Sequence, residues 1–495
     1  MLSYRQLEAN VQVLAGQLRD LGIRHRDTVG FVSDDCIEFV VAFLAVWAAG
    51  AVAAPVNPAL TAAEVTSILA SVKAKAAIVP EHLRGGFVAS SPDSRQPPVW
   101  QVVLEPRKGE HPQARISPSA VAAEGVASPS RSSDVRQPQP ADIGLMMLTA
   151  GTTAKPKVVP LTQGNLAASI NDICASYQLN HGDATLQVMP LYHGHGLIAG
   201  LLATLASGGA VYLPRSGKFS ASTFWIDMVN IGATWYTAVP TIHQILLMRA
   251  ATEYPKDHPA PLRFIRSCSA PLAPATLSAI ESTFGAPLIE AYGMTETSHQ
   301  AASNPLPAFG PHKPSSVGLG TGAEIQIFDA DGDPLQQGQL GEVCIKGPIV
   351  TAGYVDNRAA NEASFVDGWF HSGDMGFLDA DQYLFLKGRI KELINRGGEK
   401  ISPQNVDAVL LSNPKVEDAM SFGVPDPKYG EEIDAAVVVK PGSTLSSEEL
   451  RAYCLASLGE FEVPKEFYFL EELPRTAKDT DDRRQLSEMF GHAAT

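Results

Sequence analysis

The sequence predicts an α/β protein with a large N-terminal α/β domain of several subdomains, residues 1–387, and a small hinged C-terminal α+β domain, residues 388–495. Three observations predict it. At 495 residues the chain exceeds what one hydrophobic core normally supports. From residue 3 to residue 79 strand-like and helix-like segments alternate, the rhythm of a parallel sheet covered on both faces. Beyond a break near Lys387–Lys391 the pattern restarts as a compact unit of mixed strands and helices.

Taken in order, Leu7, Val11, Leu14 and Leu18 recur at helical spacing before Gly22, so residues 3–22 read as a helix with a glycine stop. Strand Val29–Val32, helix Cys36–Ala49, strand Val52–Pro55, helix Ala62–Ser71 and strand Ala76–Val79 follow. From Leu83 to Pro140 the chain is rich in Ser, Pro, Arg and Gln around one apolar island, Val99–Leu104, which reads as a strand. Residues 117–140 hold too little apolar content to offset their ordering entropy and are expected to form a mobile surface loop. Patterned α/β sequence resumes from Ile143 to about Phe385. The small unit reads as helix Pro403–Leu411, strands Val416–Val424 and Asp434–Val439, helix Ser446–Leu458 and strand Phe467–Leu470. Ser446 with Glu449 three residues on is a capping-box signature for its second helix.

Composition narrows the partners. A formal charge of −15 offers no basic surplus to displace phosphate counterions, which argues against nucleic acid. A nucleotide is still allowed, since it needs only a few local cations and backbone N–H groups. Five cysteines stand singly with no CxxC pair, the pattern of a reducing compartment. No signal-peptide layout, no run of 18 apolar residues and no C-terminal peroxisomal address is visible, so no membrane partner is expected and the cytoplasm is the expected location.

The most informative segment is IGLMMLTAGTTAKPKVVPLTQGN, Ile143–Asn165. An apolar strand runs into Thr149, Gly151, Thr152 and Thr153, then Lys155, Pro156 and Lys157. Small hydroxylated residues with a glycine let N–H groups and hydroxyls close around phosphate oxygens, and lysines add positive charge. It is not a Walker A motif, and on spacing alone a polar strand-exit loop is the other reading.

Further segments follow in order: PLYHGHGL (Pro190–Leu197), RFIRSCSAPLAP (Arg263–Pro274), IEAYGMTETSHQAASNPLP (Ile289–Pro307), WFHSGDMGFLD (Trp369–Asp379), LKGRIKELINRGGEKISP (Leu386–Pro403) and GVPDPKYGEEI (Gly423–Ile433). With the phosphate loop, this set resembles the acyl-adenylate-forming (AMP-binding) superfamily across essentially the whole chain. Within it the chain looks most like the oxalate–CoA ligase group.

The resemblance implies a two-step ligase using ATP, Mg²⁺ and coenzyme A on a small carboxylic acid. It places Lys157, Thr295, Glu296, His193 and Lys391 in the catalytic set, with Glu296 holding the metal. A hard cation suits that carboxylate beside phosphate oxygens. Thr149, Gly151, Thr152 and Thr153 would hold phosphates, Tyr292 and Gly293 the adenine, Asp374 the ribose hydroxyls, and Arg389 the ribose or phosphates. Lys391 is the implied hinge, and Gly397 and Gly398 would let pantetheine approach. A plain surface turn is the other reading of those glycines, as a turn-forming Asp in HSGD is for Asp374. His193, Ser269 and His299 would line the acid pocket, since a small dicarboxylate needs hydroxyl and imidazole donors where a long acyl chain needs an apolar tunnel. A structural histidine is the other reading of His193 or His195.

Two departures from the family pattern bear on function. Ala150 and Ala154 replace a serine and a glycine of the usual phosphate loop, at about 1 kcal/mol each. Thr480 occupies the place of the C-terminal lysine that reaches the substrate carboxylate and α-phosphate, flanked by Asp479 and Asp481. Losing that cation should slow adenylation by about 10²–10³-fold unless Lys478 substitutes. Three readings stand: an active acid–CoA ligase, an adenylating enzyme that loads a carrier-protein thiol, and an adenylation-impaired nucleotide-binding homologue.

Overall fold

The computed structural model describes residues 1–79, 99–107, 110–118, 137–149, 156–474 and 482–491. The described strands form four sheets. The first contains β1 (Thr28–Val32), β2 (Val52–Val56), β3 (Ala74–Ile78), β4 (Val99–Arg107), β5 (Glu110–Pro118), β6 (Ile143–Leu148) and β7 (Val158–Thr162), in spatial order β5-β4-β3-β1-β2-β6-β7. β1 and β2 are buried along their whole length and pair in parallel, as a sheet covered on both faces requires. Leu14, Leu18, Phe39, Phe43 and Val46 pack on it from the two helices Tyr4–Asp20 and Ile37–Ala48.

The second sheet contains β8 (Ala184–Leu186), β9 (Ala210–Tyr212), β10 (Trp235–Ala238), β11 (Phe264–Ser267), β12 (Leu288–Tyr292), β13 (Ala302–Ser303) and β14 (Leu319–Gly320). Its centre is parallel, β8-β10-β11-β12, so the carboxyl ends of β10, β11 and β12 open onto one rim, where α/β sheets carry their ligands.

The third sheet is antiparallel: β15 (Glu324–Phe328), β16 (Gly341–Lys346), β17 (Phe365–Val366), β18 (Trp369–Leu378) and β19 (Leu384–Arg389). β18 alternates half-buried and buried residues throughout, so Ser372 and Asp374 fall on the buried side. HSGD is therefore strand and not the turn the sequence suggested, although Gly373 takes φ +73° within it.

The fourth sheet contains β20 (Ile394–Arg396), β21 (Glu399–Ile401), β22 (Val416–Asp426), β23 (Gly430–Val439) and β24 (Glu466–Phe469). One face packs on the helices Pro403–Leu411 and Ser447–Leu455 through Val406, Leu410, Ile433, Leu450 and Cys454. The other face, Met420, Phe422 and Val438, is closed by Leu486 of the helix Arg483–Phe490. The capping box of Ser446 and Glu449 is formed.

The loop expected at 117–140 lies largely outside the described residues. Its first two positions belong to β5, paired with β4, a strand the polar sequence did not announce. No described helix is long and apolar enough to cross a membrane.

Candidate active site

One group of predicted residues assembles around β18 and β19. Their register sets Asp374 opposite Arg389. Arg389 Nε lies 2.9 Å from Asp374 Oδ1, and the Tyr292 hydroxyl, at the end of β12, donates to Oδ2 at 2.5 Å. The Ser372 hydroxyl accepts from the Asp374 amide at 3.0 Å and donates to the Val343 carbonyl. Burial raises the Asp374 carboxyl pKa, while Arg389 and Tyr292 pull it down. The buried carboxylate thus already has its cation. Gly293 follows Tyr292 because nothing larger fits: a Cβ there would sit 1.5 Å from the His299 carbonyl oxygen.

A second group surrounds Glu296, in the short 3₁₀ turn Thr295–Thr297. Tyr354 donates its hydroxyl to Glu296 Oε1 at 2.8 Å, and Lys157 Nζ stands 4.4 Å over the Tyr354 ring. The Thr351 amide holds the Glu296 carbonyl, and the Val355 amide holds that of Val158, so segment 351–355 ties the turn to β7. Thr149 donates its amide to the Lys157 carbonyl at 3.0 Å, clasping the two ends of the phosphate loop. The Thr149 hydroxyl is buried with no partner among the described residues, a polar atom waiting for one. Gly151, Thr152 and Thr153 lie outside the described residues.

The two groups feel one another. The charge on Glu296 raises the Asp374 and Arg389 pKa values, and that of Arg389 lowers the pKa of Tyr354. Lys157, Glu296, Asp374 and Arg389 therefore converge. The Glu296 carboxylate, only 8% exposed and within salt-bridge reach of no described cation, suits a hard cation beside phosphate oxygens.

The third group lies at the ends of β10 and β11. Arg266 is fully buried in β11. Its Nε donates to the Tyr177 hydroxyl (2.9 Å), Nη1 to Thr237 Oγ1 (3.0 Å), and Nη2 to His299 Nε2 (3.1 Å) and Gln300 Oε1 (2.9 Å). Thr237 Oγ1 meets His195 Nε2 at 2.6 Å, and His195 Nδ1 meets Ser269 Oγ at 3.1 Å. The His195 and His299 rings stack at 5.1 Å. Burial first, and then neighbouring charge including Arg266, holds both imidazoles well below the usual histidine pKa. Ser269, Ser298 and His299 all adopt left-handed backbone (φ +76°, +50° and +87°), a concentration of strain typical of functional sites.

Ser269 and His299 thus meet as expected, but the imidazole between them is His195. His193 is exposed against Tyr192, outside this network. Ser269 is exposed, whereas Ser267 is buried with an unpartnered hydroxyl. His195 opens a π-helix, His195–Leu202, a local irregularity often found at sites.

Lys391 is exposed just beyond β19, and the adjacent Ile390 amide donates to the Gly373 carbonyl at 2.8 Å. Gly397 and Gly398 join β20 to β21 with φ +60° and +99°, the two left-handed positions of a tight hairpin. Residues absent from the sequence-derived set are Arg266, Thr237, Tyr177, Tyr354 and Ser372. Arg266 had a signal: a guanidinium inside the apolar strand FIRS.

The chain also matches known proteins. Residues 1–355 match the family model described as AMP-binding enzyme, and residues 405–479 match AMP-binding enzyme C-terminal domain. The chain is 47% identical over 494 residues to oxalate–CoA ligase of Arabidopsis thaliana, covering 99% of this chain and 93% of that one. It is 38% identical over 484 residues to oxalate–CoA ligase of Saccharomyces cerevisiae, covering 95% and 88%. Among solved structures, ATP-bound MatB from Rhodopseudomonas palustris superposes with a TM-score of 0.84 at 27% identity, covering 99% and 94%.

Proposed function

Since the chain belongs to the AMP-binding enzyme family and is an acid–CoA ligase, we propose how its residues divide that reaction and which acid it takes. The substrates are a carboxylic acid, ATP and coenzyme A. The acid's carboxylate oxygen attacks the α-phosphorus of ATP, the bond to pyrophosphate breaks, and acyl-AMP forms. The sulfur of coenzyme A, its proton lost to solvent, then attacks the acyl carbon, and AMP leaves with the bonding pair.

In this reading Asp374 accepts from the ribose hydroxyls and Arg389 contacts ribose or phosphate, with Tyr292 and Gly293 along the adenine. Thr149, Lys157 and the segment 151–153 hold the phosphates, and the buried, unpartnered Thr149 hydroxyl supports that placement. Glu296 and Thr295 form the metal side. Mg²⁺ bound there would neutralise charge on the phosphate oxygens. Residues 1–387 carry this site, residues 388–495 cap it, and Lys391 is the pivot that brings Gly397 and Gly398 toward pantetheine.

The acid is small and polar, bound by Ser269 and His299 with His193 at the rim. The residues behind them, Thr237, Arg266 and Gln300, are polar and suit a small polar acid better than a long acyl chain. The observation that carries the reading is the electrostatic coupling of Glu296, Asp374 and Arg389, with Lys157 beside them over the Tyr354 ring.

The test is acid-dependent ATP–pyrophosphate exchange over short mono-, di- and tricarboxylates, followed by thioester formation with coenzyme A or with a phosphopantetheinylated carrier protein. Exchange with a short diacid and transfer to coenzyme A is the expected result. Transfer to the carrier protein alone would reassign the acceptor. Silence across the panel with ATP still bound would reject adenylation altogether.

A further inference from the structure

Buried charges in proteins are normally paired, because leaving one without a counter-charge costs several kcal/mol. Arg266 breaks that rule. Its hydrogen-bond partners Tyr177, Thr237, His299 and Gln300 are all neutral, the Cys268 side chain also lies against it, and no described carboxylate is within salt-bridge distance.

The donor inventory fixes where the protons around it sit. A guanidinium only donates. His299 Nε2, 3.1 Å from Arg266 Nη2, must therefore accept, which puts the His299 proton on Nδ1. Among the described residues Nδ1–H has no acceptor. Thr237 Oγ1 likewise accepts from Arg266 Nη1, and its own proton has one recorded acceptor, His195 Nε2 at 2.6 Å. His195 then carries its proton on Nδ1 and donates it to Ser269 Oγ. The Ser269 hydroxyl proton is left to point onward, at an exposed residue. Two chains leave one buried cation, and each ends as a donor.

We propose that Arg266 is a positioning residue that sets the direction of both chains, so that Ser269 Oγ–H and His299 Nδ1–H face the acid together and select an acid bearing a second anionic group. The proposal rests on the acid-pocket reading above and adds the residue that imposes it. The second carboxylate of a short diacid would then be the counter-charge that the guanidinium lacks. A monocarboxylate would leave both donors and the cation behind them uncompensated.

Two readouts separate this role from simple support of the core. In protein labelled with ¹⁵N-histidine, His299, assigned with a His299→Gln control, should report the Nδ1-protonated neutral form. In Arg266→Met it should revert to the commoner Nε2-protonated form. In steady-state kinetics Arg266→Met should lower kcat/KM for a C2–C4 dicarboxylate by about 10²-fold while a monocarboxylate of equal length changes by no more than about threefold. KM for ATP should not move in either case. Arg266→Lys keeps a cation but not the two-armed fork, and should restore the fold with little of the selectivity.

An unchanged His299 tautomer, or equal losses on both acids in a folded variant, would overturn the proposal. If the wild-type enzyme uses no dicarboxylate, the acid reading fails, and the selectivity proposed for Arg266 fails with it. The tautomer would then still decide whether Arg266 directs the protons.

Discussion

The nucleotide half and the acid half each bury a charge, and they treat it in opposite ways. Asp374 is held between Arg389 at 2.9 Å and the Tyr292 hydroxyl at 2.5 Å, so its charge is balanced before any ligand arrives. Arg266 is buried just as deeply with no described carboxylate within salt-bridge distance, among Tyr177, Thr237, His299, Gln300 and the Cys268 side chain. The first arrangement is a rigid receptor for a neutral feature, such as a pair of ribose hydroxyls. The second is incomplete until an anion enters, which makes binding of that anion the step that discriminates. One site can therefore hold a common cosubstrate firmly and reserve its selectivity for the acid.

The sharpest way to break the contrast is to give the nucleotide half the defect of the acid half. Asp374→Asn keeps the shape but strands Arg389 without a counter-charge. Arg389 is itself about half exposed, so the loss is read on the ligand: weakening two hydrogen bonds to a charged acceptor, each worth about 1.5–3 kcal/mol, should lower kcat/KM for ATP by about 10²–10³-fold. The KM for the acid should stay within about twofold of wild type, because the described hydrogen bonds between the two halves are backbone ones, such as the His299 amide on the Met294 carbonyl, which Asp374→Asn leaves in place. Comparable losses in both parameters would show that the halves are one cooperative network.

A somewhat smaller effect tests the cap. Thr480 and its flanking aspartates lie outside the described residues, so the expectation rests on sequence. With Thr480→Lys restoring the cation, acid-dependent pyrophosphate exchange should rise by about 10²-fold. An unchanged rate would mean that Lys478 or another group already serves. A rise would make adenylation the impaired step of the natural protein.

Much of this contrast could be read from residue types, and the part that could not has a physical cause. Asp374, Arg389, Glu296 and Lys157 announce themselves as charges in glycine-rich motifs, and they converge. Helices Ala62–Ser71 and Pro403–Leu411 were legible to the residue, because Thr61 and Ser402 cap them and periodicity fills them. Strand β18 was not, since WFHSGDMGFL puts polar Ser372 and Asp374 on its buried side and glycines on both, which hides the usual alternation. The choice of His195 over His193 was equally hidden. Two imidazoles spaced i, i+2 look alike in sequence, and only the π-helical start buries the second against Thr237 and Ser269. Arg266 was visible as a charge in an apolar strand, but its role was not, because its hydrogen-bond partners come from three separate segments.

The smallest expected effect is a difference in how the halves answer to pH. The acid half buries three imidazoles with lowered pKa values, His195, His299 and His243, the last brought down to about 4 by burial. Each binds fewer protons folded than unfolded once pH drops below its unfolded pKa, near 6.5. Their stabilising contribution is complete above that value and drains as pH falls toward the folded pKa. Asp374 has the opposite sign. Burial raises its folded pKa, so its contribution is present below the unfolded value near 3.8 and is lost as pH rises through the folded one. Stability lost between pH 6.5 and 5 must then come from the histidines. His243→Phe removes one of them, along with a 3.3 Å contact to the Tyr236 hydroxyl worth about 1 kcal/mol. Urea unfolding at pH 7.5 should show that constant loss. The slope between pH 6.5 and 5 should be shallower than wild type by up to ~1.4 kcal/mol per pH unit. Parallel curves for the two proteins would mean that His243 titrates normally and that the acid half is wetter than its geometry implies.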